Sequence, residues 1–436
     1  MRSLTTFWGE LGAYLILWGT QAFSSFGSSM TGFALIIWSY ERYGSALTTA
    51  LLSVCSYAPY VLFSIFAGSL SDKWNKKRIL LVCNGLSLAC SVLALALLAT
   101  DHLVMWQIYG VNALNGLIGT VRQPASEVAT SLLIPRRHYQ RMSGVRSFSG
   151  SLITLLAPAG AAALLSVTGL WFILAFDVFT FAAAFFSLLF WVHIPTAVCE
   201  NEPNRGRTLA LAKSGLVWLR SHRGIFDLIL LLAVINLTAS AYDVALPAML
   251  LSRADGGTAA LGVVSAVVGV TTMAGSVLAS LLPPPKSRAR VIFNTLMFSM
   301  GTENFILALG RSVPLWCVGG FLGWLFIPLM NAQMDVLLRL KIPVEMQGRV
   351  FAARNTFQFF TIPIGTFFGG FLVDQVFEPF MAAQSPGSLW VFLFGAGKGS
   401  GAAMFFLCIG FIGALSCLPF RRDKRILALE EAPPAS

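Results

Sequence analysis

The sequence predicts an all-α membrane protein of twelve transmembrane helices arranged as two six-helix, pseudo-symmetric halves. Three observations predict it. Of 436 residues, 56% are hydrophobic and 11% charged, against about 45–50% and about 25% in soluble domains, so lipid rather than water covers most of the surface. Apolar runs of roughly 20 residues, enough to cross about 30 Å of hydrocarbon as a helix, recur along the whole chain. One short pattern also returns in the second half of the sequence, after the corresponding run.

In order, the runs lie at residues 11–37, 47–69, 79–99, 105–128, 144–167, 171–192, 225–250, 259–282, 291–310, 314–338, 350–373 and 400–420. Helix is required because an open strand leaves backbone groups unpaired in lipid, and the runs lack the alternation and short length of barrel strands. The first run follows Arg2 and Glu10 and is too long for the apolar region of a cleavable leader, so it is read as a span. The connection after the second run carries Lys73, Lys76, Lys77 and Arg78, and the one after the fourth carries Arg136, Arg137, Arg141 and Arg146. Arg205, Arg207, Lys213, Arg220 and Arg223 follow the sixth, and Lys286, Arg288 and Arg290 follow the eighth. Arg339, Lys341, Arg349 and Arg354 follow the tenth, and Arg421, Arg422, Lys424 and Arg425 the twelfth. Only Arg42, Arg253, Arg311 and Lys398 fall on the other side, while Arg122 lies inside a run. The positive-inside rule then places both termini in the cytosol. The net charge of +11 is therefore topology, and no nucleic-acid partner is expected.

The predicted organisation is an N-terminal six-helix half (1–194), a cytosolic linker (195–223), a C-terminal six-helix half (224–421) and a cytosolic tail (422–436). The second part of the linker, with Leu209, Leu211, Leu216, Val217 and Leu219, is read either as an interfacial amphipathic helix or as a plain connection. The internal repeat appears at Leu132-Leu-Ile-Pro135 and Leu340-Lys-Ile-Pro343, followed by Arg141 and Arg146 in one copy and Arg349 and Arg354 in the other.

Gly68-Ser-Leu70-Ser-Asp72-Lys73-Trp74-Asn75-Lys76-Lys77-Arg78 is a charged, turn-forming run between two apolar ones. Its glycine, leucine, aspartate and basic cluster resemble the loop signature of the major facilitator superfamily, with Asn75 where that signature usually has glycine. Glu41–Ala46, Asp72–Lys77, Trp171–Asp177, Ser214–Gly224 and Gln347-Gly348-Arg349 are similar to the macrolide-efflux branch of drug:proton antiporters, which includes siderophore exporters. The resemblance implies the major facilitator fold and export of an amphipathic compound driven by inward proton flow. Its glycine-rich antiporter motif in the fifth span is reduced here to Ala157-Pro158-Ala159-Gly160.

Gly68, Asp72, Lys73, Lys77, Arg78, Glu127 and Arg349 are expected to form a conformational latch. Asp72 can accept from the open amides at the start of the eleventh helix, near Arg349, because a helix N-terminus attracts anions. Lys77 or Arg78 can pair with Glu127; the alternative is a solvated charge set that serves topology alone.

Ionisable groups inside spans are costly and face a cavity or a partner. Asp243, Glu303, Asp177 and Arg122 are therefore candidates for proton or substrate coupling. Glu303 lies mid-span, where the rival role is an interhelical hydrogen bond; Arg122 is near enough to the cytosolic interface to snorkel instead. Gln21, Asn112, Asn115, Asn236, Asn331 and Gln333 are candidates for the substrate cavity, with interhelical hydrogen bonding as the plainer role. Trp324 is one of several aromatics suited either to a greasy pocket or to lipid.

The four histidines are scattered without ligand spacing, and the seven cysteines form no Cys-x-x-Cys pair. No metal, cofactor or enzymatic chemistry is expected. The sequence is read as a monomeric bacterial inner-membrane exporter whose partners are lipid, protons and a small amphipathic substrate. A metabolite uniporter or symporter is the first rival, and a non-transporting receptor or scaffold a remoter one.

Overall fold

The computed structural model describes residues 2–73, 75–134, 139–194, 217–423 and 425–426. All regular structure among the described residues is helical. In chain order the helices are α1 (Arg2–Tyr43), α2 (Ala46–Lys73), α3 (Lys76–Ala99), α4 (Met105–Leu133) and α5 (Tyr139–Phe190). There follow α6 (Arg223–Ser252), α7 (Thr258–Leu281), α8 (Arg288–Leu309), α9 (Val313–Trp324), α10 (Ile327–Lys341) and α11 (Val344–Leu372). A π turn at Val373–Phe377 leads into α12 (Glu378–Ala382), α13 (Leu389–Phe394) and α14 (Ser400–Arg421).

Nine stretches among the described residues are long and apolar enough to cross a membrane. The sequence expectation of twelve differs for identifiable reasons. The predicted fifth and sixth spans form one such stretch, Phe148–Phe190, interrupted by non-helical backbone at Gly169 with φ 72°, a conformation that costs glycine little. Helices α1 and α4 fall outside the nine; α4 carries Gln107, Asn112, Asn115, Arg122 and Gln123 among its apolar residues. The predicted tenth span is divided into α9 and α10 by a turn at Leu325 and Phe326, and Pro328 stands in the first turn of α10, where its missing N–H leaves no helical bond unmade.

The chain divides into two compact units, one of Met1–Trp38 and Cys55–Pro203, the other of Ser39–Val54 and Asn204–Ser436. In the first, Leu17, Ile79, Leu80, Ile118, Ala125 and Leu188 are buried together. Asn75 caps α3, its side chain accepting from Lys77 N and Arg78 N, which gives the polar residue at the usual glycine position a structural role. Helices α2 and α4 touch at Gly116, where any Cβ would collide with the backbone carbonyl of Ser56.

In the second unit, Leu228, Ile229, Ile292, Phe293, Leu296 and Leu337 form the buried centre. Arg253, just past the end of α6, donates to Gly310 O at 2.9 Å and Phe394 O at 2.6 Å. Burial, and then the nearby Arg311, lower its pKa from the ordinary value. Asp374 in the π turn accepts from Ser45 Oγ at 2.6 Å, Ala46 N at 3.0 Å and Leu47 N at 2.8 Å, and so caps α2 from a distant point in the sequence. Glu378 similarly accepts from Gly399 N and Ala402 N at the start of α14. Replacing Asp374 by Ala is expected to cost about 1–2 kcal/mol, read as a lower thermal midpoint of the detergent-solubilised protein; an unchanged midpoint would show that water replaces the cap without loss.

Candidate functional site

Helices α1, α3, α4 and α5 of the first unit carry a group of polar residues that apolar surroundings force to find partners or line a cavity. Asp177, on the second arm of α5, is 3% exposed. It accepts from Ser28 Oγ of α1 at 3.2 Å and Ser91 Oγ of α3 at 2.7 Å. One carboxylate thus ties three helices together, a role that sequence spacing does not reveal because the partners lie 149 and 86 residues away.

Asp177 also lines a cavity of about 300 Å³ with Ser28, Ser91, Asn112, Asn115 and Arg122. A second cavity of about 510 Å³ is lined by Tyr14, Trp18, Gln21, Asn84, Arg122 and Arg146, among others. Arg122 belongs to both walls. Among the described residues it makes no ion pair within 4 Å, although Asp177 is close enough to act on it electrostatically. Gln21 accepts from Ser126 Oγ at 3.4 Å. The sequence-predicted candidates Gln21, Asn112, Asn115, Arg122 and Asp177 are therefore brought to two cavities that share one guanidinium.

The second unit holds the other candidates in less unified surroundings. Glu303 on α8 is 4% exposed, and its Oε1 accepts from Trp324 Nε1 at 2.9 Å. Gly323 makes room for it, since a Cβ there would lie 2.6 Å from Glu303 Cδ. The buried Tyr242 hydroxyl lies beside Glu303 but makes no hydrogen bond of standard geometry among the described residues. Asp243, the next residue on α6, is exposed. Asp243, Tyr242 and Glu303 thus lie near one another where α6 meets α8.

Gln333 is buried and accepts from Arg288 Nη1 at 2.6 Å, so its side-chain oxygen is already engaged. Asn236 is half-buried and Asn331 exposed. Among the described residues no group of histidine, cysteine and acidic side chains is arranged to hold a metal.

Of the expected latch, Lys77 donates to Leu189 O at 3.1 Å, a carbonyl near the end of α5, and Arg78 is exposed. The side chains of Asp72, Lys73, Glu127 and Arg349, and the surroundings of Gly68, lie outside what the structure describes. Sequence reasoning missed Tyr14, Trp18, Asn84 and Arg146 as cavity residues. The signal available was their helical spacing on α1, where Tyr14, Trp18 and Gln21 are four and three residues apart and share a face.

Against known proteins, the family model described as Major Facilitator Superfamily matches residues 17–366. Macrolide efflux protein A of Streptococcus pyogenes is 24% identical over 370 residues, covering 83% of this chain and 90% of that one. Macrolide efflux protein A of Enterococcus faecalis is 24% identical over 327 residues, covering 74% and 99%. Among solved structures, the POT family transporter PepTSo superposes with a TM-score of 0.70 at 11% identity, over 96% of this chain and 98% of that one. At that identity the likeness concerns the fold.

Proposed function

The chain belongs to the Major Facilitator Superfamily, and from that premise we propose that this multi-pass membrane transporter exports an amphipathic small molecule by alternating access, coupled to inward proton flow. The observation that carries the proposal is the pair of cavities that share Arg122: space lined by polar side chains within lipid-covered helices serves a solute. The efflux function in the names of two relatives supports the outward direction.

In this reading the substrate enters from the cytosolic side and contacts Gln21, Asn112, Asn115 and Arg122, with Asn236, Asn331 and Gln333 as candidates on the other half. Asp243 and Glu303 carry the proton, and Asp177 sets the polarity of the smaller cavity. Asp72, with Gly68, Lys73, Lys77, Arg78, Glu127 and Arg349, latches the cytosolic side. The protein is a monomer of the bacterial inner membrane with both termini in the cytosol, and it performs no enzymatic step.

The test begins with a resistance screen of cells overexpressing the protein, which supplies a compound. Its uptake is then followed in inside-out vesicles under an imposed proton gradient. Accumulation is expected to depend on the gradient and to collapse with a protonophore. Uptake indifferent to the gradient would instead favour a uniporter.

A further inference from the structure

We infer that the larger cavity of the first unit is a site for an oxygen-rich organic anion, one that presents carboxylate or phenolate acceptors. The inference rests on the transport reading for its purpose, but it concerns the chemistry of the ligand.

Its basis is an imbalance of hydrogen-bonding capacity in the wall. Tyr14 Oη, Trp18 Nε1, Gln21 Nε2 and Asn84 Nδ2 are buried with no hydrogen-bond partner among the described residues, and all four residues line this one cavity of about 510 Å³. Tyr14 and Asn84 are 1% and 3% exposed. Buried donors left without a protein partner are costly, so four in one wall are unusual unless something else supplies acceptors.

Two of the wall's own amide acceptors are already taken. Gln21 Oε1 is engaged by Ser126, and Gln123 Oε1 accepts from Tyr60 Oη at 2.6 Å. Among the described residues no aspartate or glutamate lines this cavity, whereas two guanidinium groups do, Arg122 and Arg146. An indole N–H and a guanidinium can only donate.

Among the described residues the carboxylate nearby is Asp177, which lines the adjoining cavity and is held by Ser28 and Ser91. Arg122, which lines both spaces, makes no ion pair within 4 Å among the described residues, so a ligand in either space can meet its guanidinium. A ligand carrying negative charge and several oxygen acceptors complements this wall. Among the described residues a cation meets two like charges and no counter-ion.

The size also fits. About 510 Å³, extended by the adjoining 300 Å³, lies within the range of about 300–1,000 Å³ usual for small-molecule sites.

The experiment is calorimetric titration of the full chain, purified in detergent, with 2,3-dihydroxybenzoate and separately with benzyltrimethylammonium. The anion is expected to bind at least about tenfold more tightly than the cation. Arg122→Gln should weaken the anion about tenfold or more, Arg122→Lys should recover most of the loss, and Tyr14→Phe and Trp18→Phe should each cost about two- to fivefold. Equal or tighter binding of the cation overturns the inference, as does failure of the anion to bind. Should Arg122→Gln not fold, unchanged anion affinity in both Tyr14→Phe and Trp18→Phe also overturns it. Transport plays no part in this measurement. Anion selectivity without export would sink the transport reading alone, and gradient-driven export without anion selectivity would sink this one alone.

Discussion

Glu303→Gln and Asp243→Asn are each expected to reduce gradient-driven export to background while leaving counterflow exchange of substrate intact. Exchange requires the carrier to reorient with substrate bound, but it requires no net movement of protons; a variant that cannot take up or release the proton keeps the first ability and loses the second. The substitutions preserve shape. Gln at 303 can still accept from Trp324, the partner at 2.9 Å, and Asp243 is exposed, so neither change should prevent folding. The outcome also discriminates between the two roles open to Glu303. If it served only as an interhelical acceptor, the amide would serve nearly as well and export would continue. Parallel assays in inside-out vesicles, one under a proton gradient and one under substrate counterflow, supply the comparison. Full export in both variants would remove α6 and α8 from the coupling scheme.

Gly116→Val should produce the largest structural effect, a loss of about 3 kcal/mol or more, seen as little monodisperse protein after extraction. The new Cβ would collide with the carbonyl of Ser56, and backbone in a helix cannot rotate aside as a side chain can. Helices α2 and α4 would have to separate, and Ser56 also lines the smaller cavity. The control is Gly110→Val, six residues earlier on the same helix, where an added Cβ meets nothing within 4 Å; its yield should match that of the unsubstituted protein. Equal losses in both variants would mean that the β-branched residue, rather than the close approach, is responsible.

The positions of the helices were largely legible because hydropathy and length are local properties. Leu228, Ile229 and Leu232 read as apolar on any transfer scale, and they are buried. The functional residues were legible only as types. Arg122, Asp177, Asp243 and Glu303 stand out because charge is rare in spans, but nothing adjacent to Asp177 in sequence points to Ser28 or Ser91. The caps were less legible still. Asp374 reads as the polar end of a span, yet it closes the N-terminus of α2, 328 residues from the amide of Ala46.

By itself, the sequence determined that this is an all-helical membrane protein, that its two halves echo one another, and that it resembles a facilitator of the efflux type. These follow from counts and spacings along the chain, since the bilayer sets the helix length and the charge bias sets the predicted orientation. Tertiary structure alone decided that Arg122 is shared by two cavities, that four unpaired donors line one of them, and that Gly323 admits Glu303 to Trp324. The reason is geometric: a helix offers several faces, and which of them meets a helix more than a hundred residues away is settled by how side chains interlock where the helices cross.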